Sequence, residues 1–137
     1  MKKDNITITG VSDRIKNHIS KLRASYSNIQ FHISEAIAND VRLSSQHALN
    51  IFRIVQESIH NALKHSHAGN ISIAINSNSV IEIQIVDDGR GMNVDSSDEG
   101  NGLMNMRARA KETGMQLLIS SKPNEGTMVL LETHTTN

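Results

Sequence analysis

Three polar residues recur at a spacing that brings them to one face of a helix. Apolar side chains repeat at intervals of three and four from residue 44 to about 66, which predicts a long central helix. Glu57, Asn61 and Lys64 occupy positions i, i+4 and i+7 of that helix, with His65 at the border. This face lies roughly opposite the apolar one, so the pattern alone is typical of a solvated surface. It becomes one wall of a pocket only where a second element crosses it.

A second candidate is the carboxylate at the end of a predicted strand. Residues 80–86 alternate, with isoleucines on one face, and Asp87 falls in phase with those isoleucines. A carboxylate turned toward an apolar layer is costly unless it is hydrogen-bonded. Local backbone amides could cap it, or it could be reserved for a ligand that brings N–H donors. Gly89 and Gly91 favour a ligand, because glycines let a flat molecule approach the backbone closely.

A third candidate is the glycine-rich approach to another predicted helix. Gly100 and Gly102 precede that helix, which should end at Gly114. The free N–H groups and positive dipole end of a helix N-terminus can bind an anion. The loop lacks the Gly-Lys-Ser/Thr ending of a Walker A loop and the full dinucleotide-binding fingerprint. By itself it is explained by helix capping.

Composition restricts the class of protein. The 137 residues suit one domain, and 14 basic against 14 acidic residues create no global field toward nucleic acid or anionic membranes. One Tyr and two Phe leave little for stacking exposed bases. The absence of Cys excludes disulfides and thiol nucleophiles and favours a reducing compartment. Neither a secretory signal nor an apolar run of about 20 residues is present, so we expect no membrane insertion of this chain.

The elements that must position these candidates follow from the hydrophobic period. The pattern predicts three helices and five strands, namely a helix over 12–25, a strand over 29–33, the long helix over 44–66, a hairpin of 71–75 and 80–86, a helix over 102–113, and strands over 115–120 and 127–133. Hairpins without a repeating βαβ pattern favour an α+β fold. We expect a two-layer sandwich with three helices on a mixed, mainly antiparallel sheet.

The order of the three motifs resembles the nucleotide site of the GHKL superfamily. They read Glu57-x-x-x-Asn61, then Asp87-x-Gly89-x-Gly91, then Gly100-x-Gly102. The surrounding residues, Phe52 to Glu57, Asn61 to His65 and Gly100 to Ala110, resemble bacterial two-component sensor histidine kinases. The subfamily that signals to response regulators with helix-turn-helix output domains is the most similar, and the match runs from about residue 12 to 133.

The resemblance implies a Bergerat-type ATP-binding fold and a role for each motif residue. Asn61 would hold Mg²⁺ between the phosphates of ATP, and Glu57 would orient or deprotonate the attacking group. Lys64 and His65 would contact the phosphates. Asp87 would accept the exocyclic amine of adenine.

The glycine positions would shape the pocket and its lid. The resemblance assigns cofactor contacts, pocket floor and lid hinges to Gly89, Gly91, Met92, Gly100, Gly102 and Leu103. Residues 92–99 would form a short lid. Because its acidity opposes a polyanionic nucleotide, we expect Asp95, Asp98 and Glu99 to point outward.

The implied function is that of the catalytic ATP-binding domain of a sensor histidine kinase. It would bind Mg-ATP and donate the γ-phosphoryl group to a His on a helical dimerisation domain, with a response regulator downstream. None of the seven histidines stands in the His-Asp or His-Glu setting of such an acceptor. Residues 1–137 are therefore predicted to be one domain with its core over 12–133, cytoplasmic or the soluble part of a membrane-anchored kinase, and unable to phosphorylate itself.

Three other functions remain open. One is a stand-alone GHKL protein-serine kinase that acts on an anti-sigma-factor antagonist; the residues Arg107 to Ala110 favour the histidine kinase over it. Another is a non-enzymatic adaptor, against which the intact Glu57, Asn61 and Asp87 argue. The third is a metal site of His60, His65 and His67, which lacks a carboxylate partner and the HExxH pattern.

Overall fold

The computed structural model describes residues 6–65, 68–90 and 101–133. Helices and strands account for most of these ranges. Their order is β1 (Ile6–Thr7), α1 (Ile8–Ser25), β2 (Gln30–Ile37), β3 (Arg42–Leu43), α2 (Ser45–His65), β4 (Asn70–Ser77), β5 (Ile81–Asp87), α3 (Asn101–Thr113), β6 (Met115–Ser121) and β7 (Thr127–Thr133).

Five strands form the main sheet, in the order β2-β4-β5-β7-β6. The β2–β4 pair is parallel and the other three pairs are antiparallel. One face of the sheet is buried, since every second residue of β4 and β5 is inaccessible, and the three helices cover that face. The predicted α+β sandwich on a mixed, mainly antiparallel sheet is confirmed.

Helix α2 is the centre of the helical layer. Ile51, Ile54 and Ile59 are fully buried against the sheet, and α2 packs against both α1 and α3. The Ser44 hydroxyl caps its first turn by accepting a hydrogen bond from the His47 N–H at 3.0 Å. None of the three helices in the described ranges is apolar over enough of its length to cross a bilayer.

Helix α1 begins four residues before its predicted start at residue 12. Thr7 caps it, since its side chain accepts a hydrogen bond from the Gly10 N–H at 3.3 Å. The Asp40 carboxylate accepts another from the Thr9 N–H at 2.9 Å. The prediction was wrong because Thr9 and Gly10 are poor helix formers, and the residue that stabilises this turn lies far away in the sequence.

Strand β2 continues to Ile37, four residues past its predicted end at residue 33. Its continuation was hidden by Glu35, which turns toward the helical layer where an apolar residue is expected. The carboxylate of Glu35 accepts a hydrogen bond from the buried Ser12 hydroxyl and lies 3.0 Å from the Lys16 ammonium. These partners lower the pKa of Glu35 and let a charged side chain join α1 to the sheet edge. The two-residue strands β1 and β3 are too short for a periodic pattern to reveal.

The β6–β7 turn brings the start of β7 unusually close to the end of β5. Gly126 has a φ of +78°, and a Cβ atom there would overlap the carbonyl oxygen of Asp87. The Asn124 N–H also donates a hydrogen bond to the Arg90 carbonyl. Only glycine satisfies both the backbone angle and this approach.

A pair of glycine substitutions separates these two requirements. Gly114, which ends α3, has a similar φ of +73° but nothing within 4 Å of a Cβ atom. Gly114→Ala should therefore cost only the left-handed backbone conformation, about 1–2 kcal/mol. Gly126→Ala adds a clash with the β5 backbone, and we expect its loss of unfolding free energy in urea to exceed that of Gly114→Ala by about 2 kcal/mol. Equal losses would mean that β7 has room to move.

Candidate functional site

The first turn of α3 crosses the polar face of α2. An ideal Cβ atom on Gly102 would lie 2.6 Å from Glu57 Oε2 and 3.4 Å from Asn61 Oδ1. Glu57 and Asn61 are accordingly half-buried, whereas Lys64 is exposed. The interpretation of this face as solvated is thus wrong for Glu57 and Asn61, because a second element covers them.

Helix α3 runs antiparallel to α2, with contacts along its length. The Ser58 hydroxyl donates to Met106 Sδ at 3.3 Å, and Arg109 Nη1 donates to Asn50 Oδ1 at 3.0 Å. Leu103 and Met106 are buried between the layers. These contacts hold the α3 N-terminus beside Glu57 and Asn61. The N–H groups of a first helical turn have no partner within the helix, so this edge combines an oxygen-rich face with free donors and the positive dipole end.

Asp87 is buried, as its phase in β5 predicts. It is 7% exposed, and the Gly89 N–H donates to Asp87 Oδ1 at 2.9 Å. Burial raises the pKa of this carboxyl above its ordinary value of 3.8, and the Asp88 charge adds to the rise. Backbone hydrogen bonds from Gly89 and Thr127 oppose the rise without cancelling it. Local amides therefore cap Asp87 only in part, and the carboxylate keeps capacity for a further N–H donor.

Asp88, one residue later, has a different environment. It is exposed, and its carboxylate accepts hydrogen bonds from the Gly69 N–H at 2.8 Å, the Asn70 N–H at 2.9 Å and Asn70 Nδ2 at 2.8 Å. These bonds lower the pKa of Asp88. The side chain thus ties the end of β5 to the segment that leads from α2 into β4.

Sequence reasoning missed Asp88, Gly126 and Thr127. Thr127 pairs with Asp87 across the β5–β7 ladder, and Gly126 makes this close approach possible. The sequence signals were weak: an Asp out of phase with its strand, and a glycine that any turn could contain. The pairing of β5 with β7 gives Gly126 and Thr127 their significance, and the hydrogen bonds from Gly69 and Asn70 give Asp88 its own.

Several predicted residues lie outside what the structure describes. These are Gly91, Met92 and Gly100, together with the predicted lid and its acidic residues Asp95, Asp98 and Glu99. The side chain of His65 and all of His67 are likewise outside it. Within the described ranges, no group of three His, Asp or Glu side chains could hold a metal ion.

Cavities border both Glu57 and Asp87. Glu57 lines one of about 230 Å³ between α2 and α3 and another of about 350 Å³ between α1 and α2. Asp87 lines a third, of about 280 Å³, at the end of β5. The chain between the Asp87 and Gly102 motifs includes residues 91–100, which are not described.

Comparison with known proteins identifies relatives of this chain. Residues 46–137 match the family model described as "Histidine kinase-, DNA gyrase B-, and HSP90-like ATPase". Over 82 residues the chain is 39% identical to the sensor protein VraS of Staphylococcus aureus (strain COL), which is 58% of this chain and 24% of VraS. VraS of Staphylococcus haemolyticus gives the same identity and coverage. The chain thus spans about a quarter of the length of these relatives.

Solved structures share the fold at lower identity. The histidine kinase domain of the blue-light-activated kinase EL346 from Erythrobacter litoralis superposes with a TM-score of 0.73 at 21% identity, covering 90% of this chain and 64% of that one. The mycobacterial sensor histidine kinase MprB superposes with a TM-score of 0.69 at 19% identity, covering 96% of both chains. These superpositions include α1 and β2, which precede the region matched by the family model.

Neutral substitutions at Asp87 and Asp88 should change the pH dependence of stability in opposite directions. The raised pKa means that wild type loses stability as pH rises from 3.8 and the buried Asp87 ionises, so the unfolding free energy of Asp87→Asn should gain on wild type over that window. The lowered pKa of Asp88 means that wild type gains stability as pH rises toward 3.8, so Asp88→Asn should fall behind. Urea unfolding from pH 2.5 to 7 measures the difference in unfolding free energy between each variant and wild type. If that difference changed with pH in the same direction for both variants, the two environments would be wrong.

Proposed function

We propose, because this chain belongs to the family of histidine kinase-, DNA gyrase B- and HSP90-like ATPases, that it is the ATP-binding catalytic domain of a sensor histidine kinase. It binds Mg-ATP and transfers the γ-phosphoryl group to a histidine on a separate dimerisation domain. The 39% identity to a sensor protein supports this function over the serine-kinase alternative.

The observation that carries the proposal is the contact of Gly102 with Glu57 and Asn61. It joins two motifs that are about 40 residues apart in the sequence. A phosphate chain at the α3 N-terminus would accept hydrogen bonds from its free N–H groups and favourable charge from its dipole. Exposed Lys64 and neighbouring His65 would add donors to the same phosphates.

The adenine contact is assigned to Asp87. Its carboxylate is buried, only partly satisfied by backbone amides, and has a raised pKa, so a neutral N–H donor would relieve part of the desolvation cost. The exocyclic amine of adenine is such a donor. Gly89 lies next to this carboxylate, and because it has no side chain it leaves room for the base. Gly91, Met92, Gly100 and Leu103 are proposed to complete the pocket and its lid.

The residues present fit a magnesium ion. Asn61 Oδ1 is half-buried, faces the α3 N-terminus and makes no hydrogen bond with another described residue, which leaves an amide oxygen for a hard cation. When bound, Mg²⁺ would neutralise phosphate charge and help to orient the chain for transfer. Asn61 would hold it, and Glu57 lies one helical turn away.

Glu57 is proposed as the group that receives the proton. A nitrogen of the acceptor imidazole forms a bond to the γ-phosphorus while the bond from that phosphorus to the bridging oxygen breaks. ADP leaves with the electron pair, and the imidazole N–H proton passes to the Glu57 carboxylate. The position of Glu57 between two open cavities allows an external imidazole to reach it.

The partners follow from this reaction. The acceptor histidine belongs to a dimerisation domain of the same or a partner kinase, and a response regulator then receives the phosphoryl group. The domain is therefore not self-sufficient. We propose that it works in the cytoplasm, where ATP is available, alone or as part of a membrane-anchored kinase.

Nucleotide binding can be measured as a gain in stability. Mg-ATP at a hundred times its dissociation constant should raise the unfolding free energy by about 2.7 kcal/mol. Asp87→Asn should abolish that gain, whereas Asp88→Asn keeps it, because Asp88 is occupied by Gly69 and Asn70. GTP should stabilise far less, since guanine presents a carbonyl to the Asp87 carboxylate. An undiminished ATP response in Asp87→Asn would reject the adenine contact.

Substitutions at Asn61 and Glu57 should separate binding from transfer. Asn61→Ala should remove the Mg²⁺ dependence of ATP binding, measured by calorimetry with and without the metal.

Glu57→Gln should bind Mg-ATP like wild type but transfer phosphate to a supplied dimerisation domain about 100-fold more slowly, the usual effect of losing a general base. Transfer at the wild-type rate by Glu57→Gln would assign the proton to another group.

A further inference from the structure

A groove between α2 and α3 begins at Glu57 and runs away from the α3 N-terminus. It has a volume of about 230 Å³ and is lined by Arg53, Gln56, Glu57, Asn105, Met106 and Arg109. We refer to it as the arginine groove. Its lining carries two guanidinium groups against one carboxylate, in a chain whose formal net charge is zero.

Neither guanidinium in the arginine groove is paired with a carboxylate of the described residues. Arg53 donates one hydrogen bond to Gln56 Oε1 at 3.0 Å, and Arg109 donates one to Asn50 Oδ1 at 3.0 Å. Glu57 stands one turn from Arg53 on the same helix yet forms no ion pair with it. A guanidinium has five N–H donors, so most of the donors here lack a partner among the described residues. Two such groups suit a carboxylate, because its two oxygens match the paired N–H donors of a guanidinium.

The arginines lie on the far side of Glu57 from the proposed phosphate end of the site. Arg53, Glu57 and Asn61 follow one another at four-residue intervals along α2, so Arg53 is about 12 Å from Asn61 along the axis. Because α3 is antiparallel, its Gly102 end is at Asn61 and its Arg109 end is at Asn50, on the far side of Glu57. The arginine groove therefore begins where the proposed nucleotide site ends.

A second groove lies on the other side of Glu57. This cavity of about 350 Å³ between α1 and α2 is lined by Leu22, Tyr26, Ile59 and Leu63 together with His18 and His60. Gln56 and Glu57 line both cavities and so form the ridge between them. Tyr26 is 37% exposed, which leaves an apolar ring available to a partner. A helix laid across the ridge would meet apolar side chains on one side and guanidinium groups on the other.

We propose that the histidine-bearing helix of the acceptor domain docks across the ridge of Gln56 and Glu57, with a carboxylate of that helix bound between Arg53 and Arg109. This inference rests on the proposed function, because it takes Glu57 as the point that the acceptor imidazole must reach. The carboxylate sets the register of the helix so that its histidine meets Glu57. Arg53 and Arg109 are therefore positioning residues for the acceptor.

Charge reversal at Arg53 tests the docking. Arg53 is exposed and its only described side-chain partner is Gln56, so Arg53→Glu should fold. Arg107→Glu is the matched control, since Arg107 is exposed on α3, lines neither groove and undergoes the same change of charge. Arg53→Gln provides a milder variant at the same position. Melting temperatures establish that each variant is folded.

The assay measures transfer from Mg-ATP to a purified helical dimerisation domain of a sensor histidine kinase, supplied in trans at increasing concentration. For Arg53→Glu we expect the KM for this acceptor to rise at least tenfold, with kcat within about twofold of wild type. The Kd for Mg-ATP should not change. Arg107→Glu should match wild type. Replacing a carboxylate one helical turn from the acceptor histidine with Lys should lower the raised KM of Arg53→Glu toward the wild-type value, and added salt should narrow the difference in KM between wild type and that variant.

The outcomes distinguish this inference from the proposed function. If wild type transfers phosphate and Arg53→Glu has the same KM as Arg107→Glu, the docking is wrong and the kinase function stands. An equal rise in both variants shows a general charge effect and also overturns the docking. If wild type neither binds Mg-ATP nor transfers phosphate to any acceptor, the proposed function fails and the docking with it. A rise in KM that is confined to Arg53→Glu and reversed by the Lys-bearing acceptor establishes the docking.

Discussion

Close packing between α2 and the first turn of α3 is the contact on which the arrangement of this domain depends. Gly102 provides no side chain at the crossing, so the α3 N-terminus approaches the Glu57 carboxylate and the Asn61 amide directly. Burial of Leu103 and Met106 supplies the apolar free energy that holds α3 in place. The bond from Arg109 to Asn50 then fixes the opposite end. One interface thus turns a polar helix face, which would otherwise be solvated, into the wall of a site and also forms the arginine groove beyond it.

The end of β5 shows how two adjacent carboxylates acquire opposite roles. Strand alternation turns Asp87 toward the helical layer and Asp88 away from it. Asp88 is satisfied by three donors from Gly69 and Asn70 and stabilises the connection between α2 and β4. Asp87 is desolvated and only partly satisfied, so its ionised form lowers the stability of the nucleotide-free fold. A group retained at such a cost is typical of a binding site, since a ligand that supplies the missing donor recovers the free energy.

Periodicity was sufficient to predict most of the fold. The three helices, the β4–β5 hairpin and the inward phase of Asp87 all follow from apolar spacing, which reflects local geometry. The predictions that were wrong concern features that depend on tertiary contacts. Helix α1 begins early because Thr7 and Asp40 cap it, and β2 is longer because Ser12 and Lys16 satisfy Glu35. The cover over Glu57 and the contact of Gly126 with Asp87 depend on which elements become neighbours, and no local pattern in the sequence contains that information.

The accessibility of the two carboxylates is consistent with a reaction that joins two separate substrates. Asp87 is enclosed at the strand end, where a flat base could be held by hydrogen bonding and water excluded. Glu57 instead stands on a ridge between two open cavities, so a second macromolecule can approach it from outside, while the phosphates of the proposed nucleotide would lie at the α3 N-terminus. A proton acceptor sealed inside the nucleotide pocket could not serve a histidine carried by another domain. The guanidinium groups beyond Glu57 form no ion pair within the described fold, and a carboxylate on the incoming helix would satisfy their remaining donors as it aligned the imidazole with the γ-phosphate.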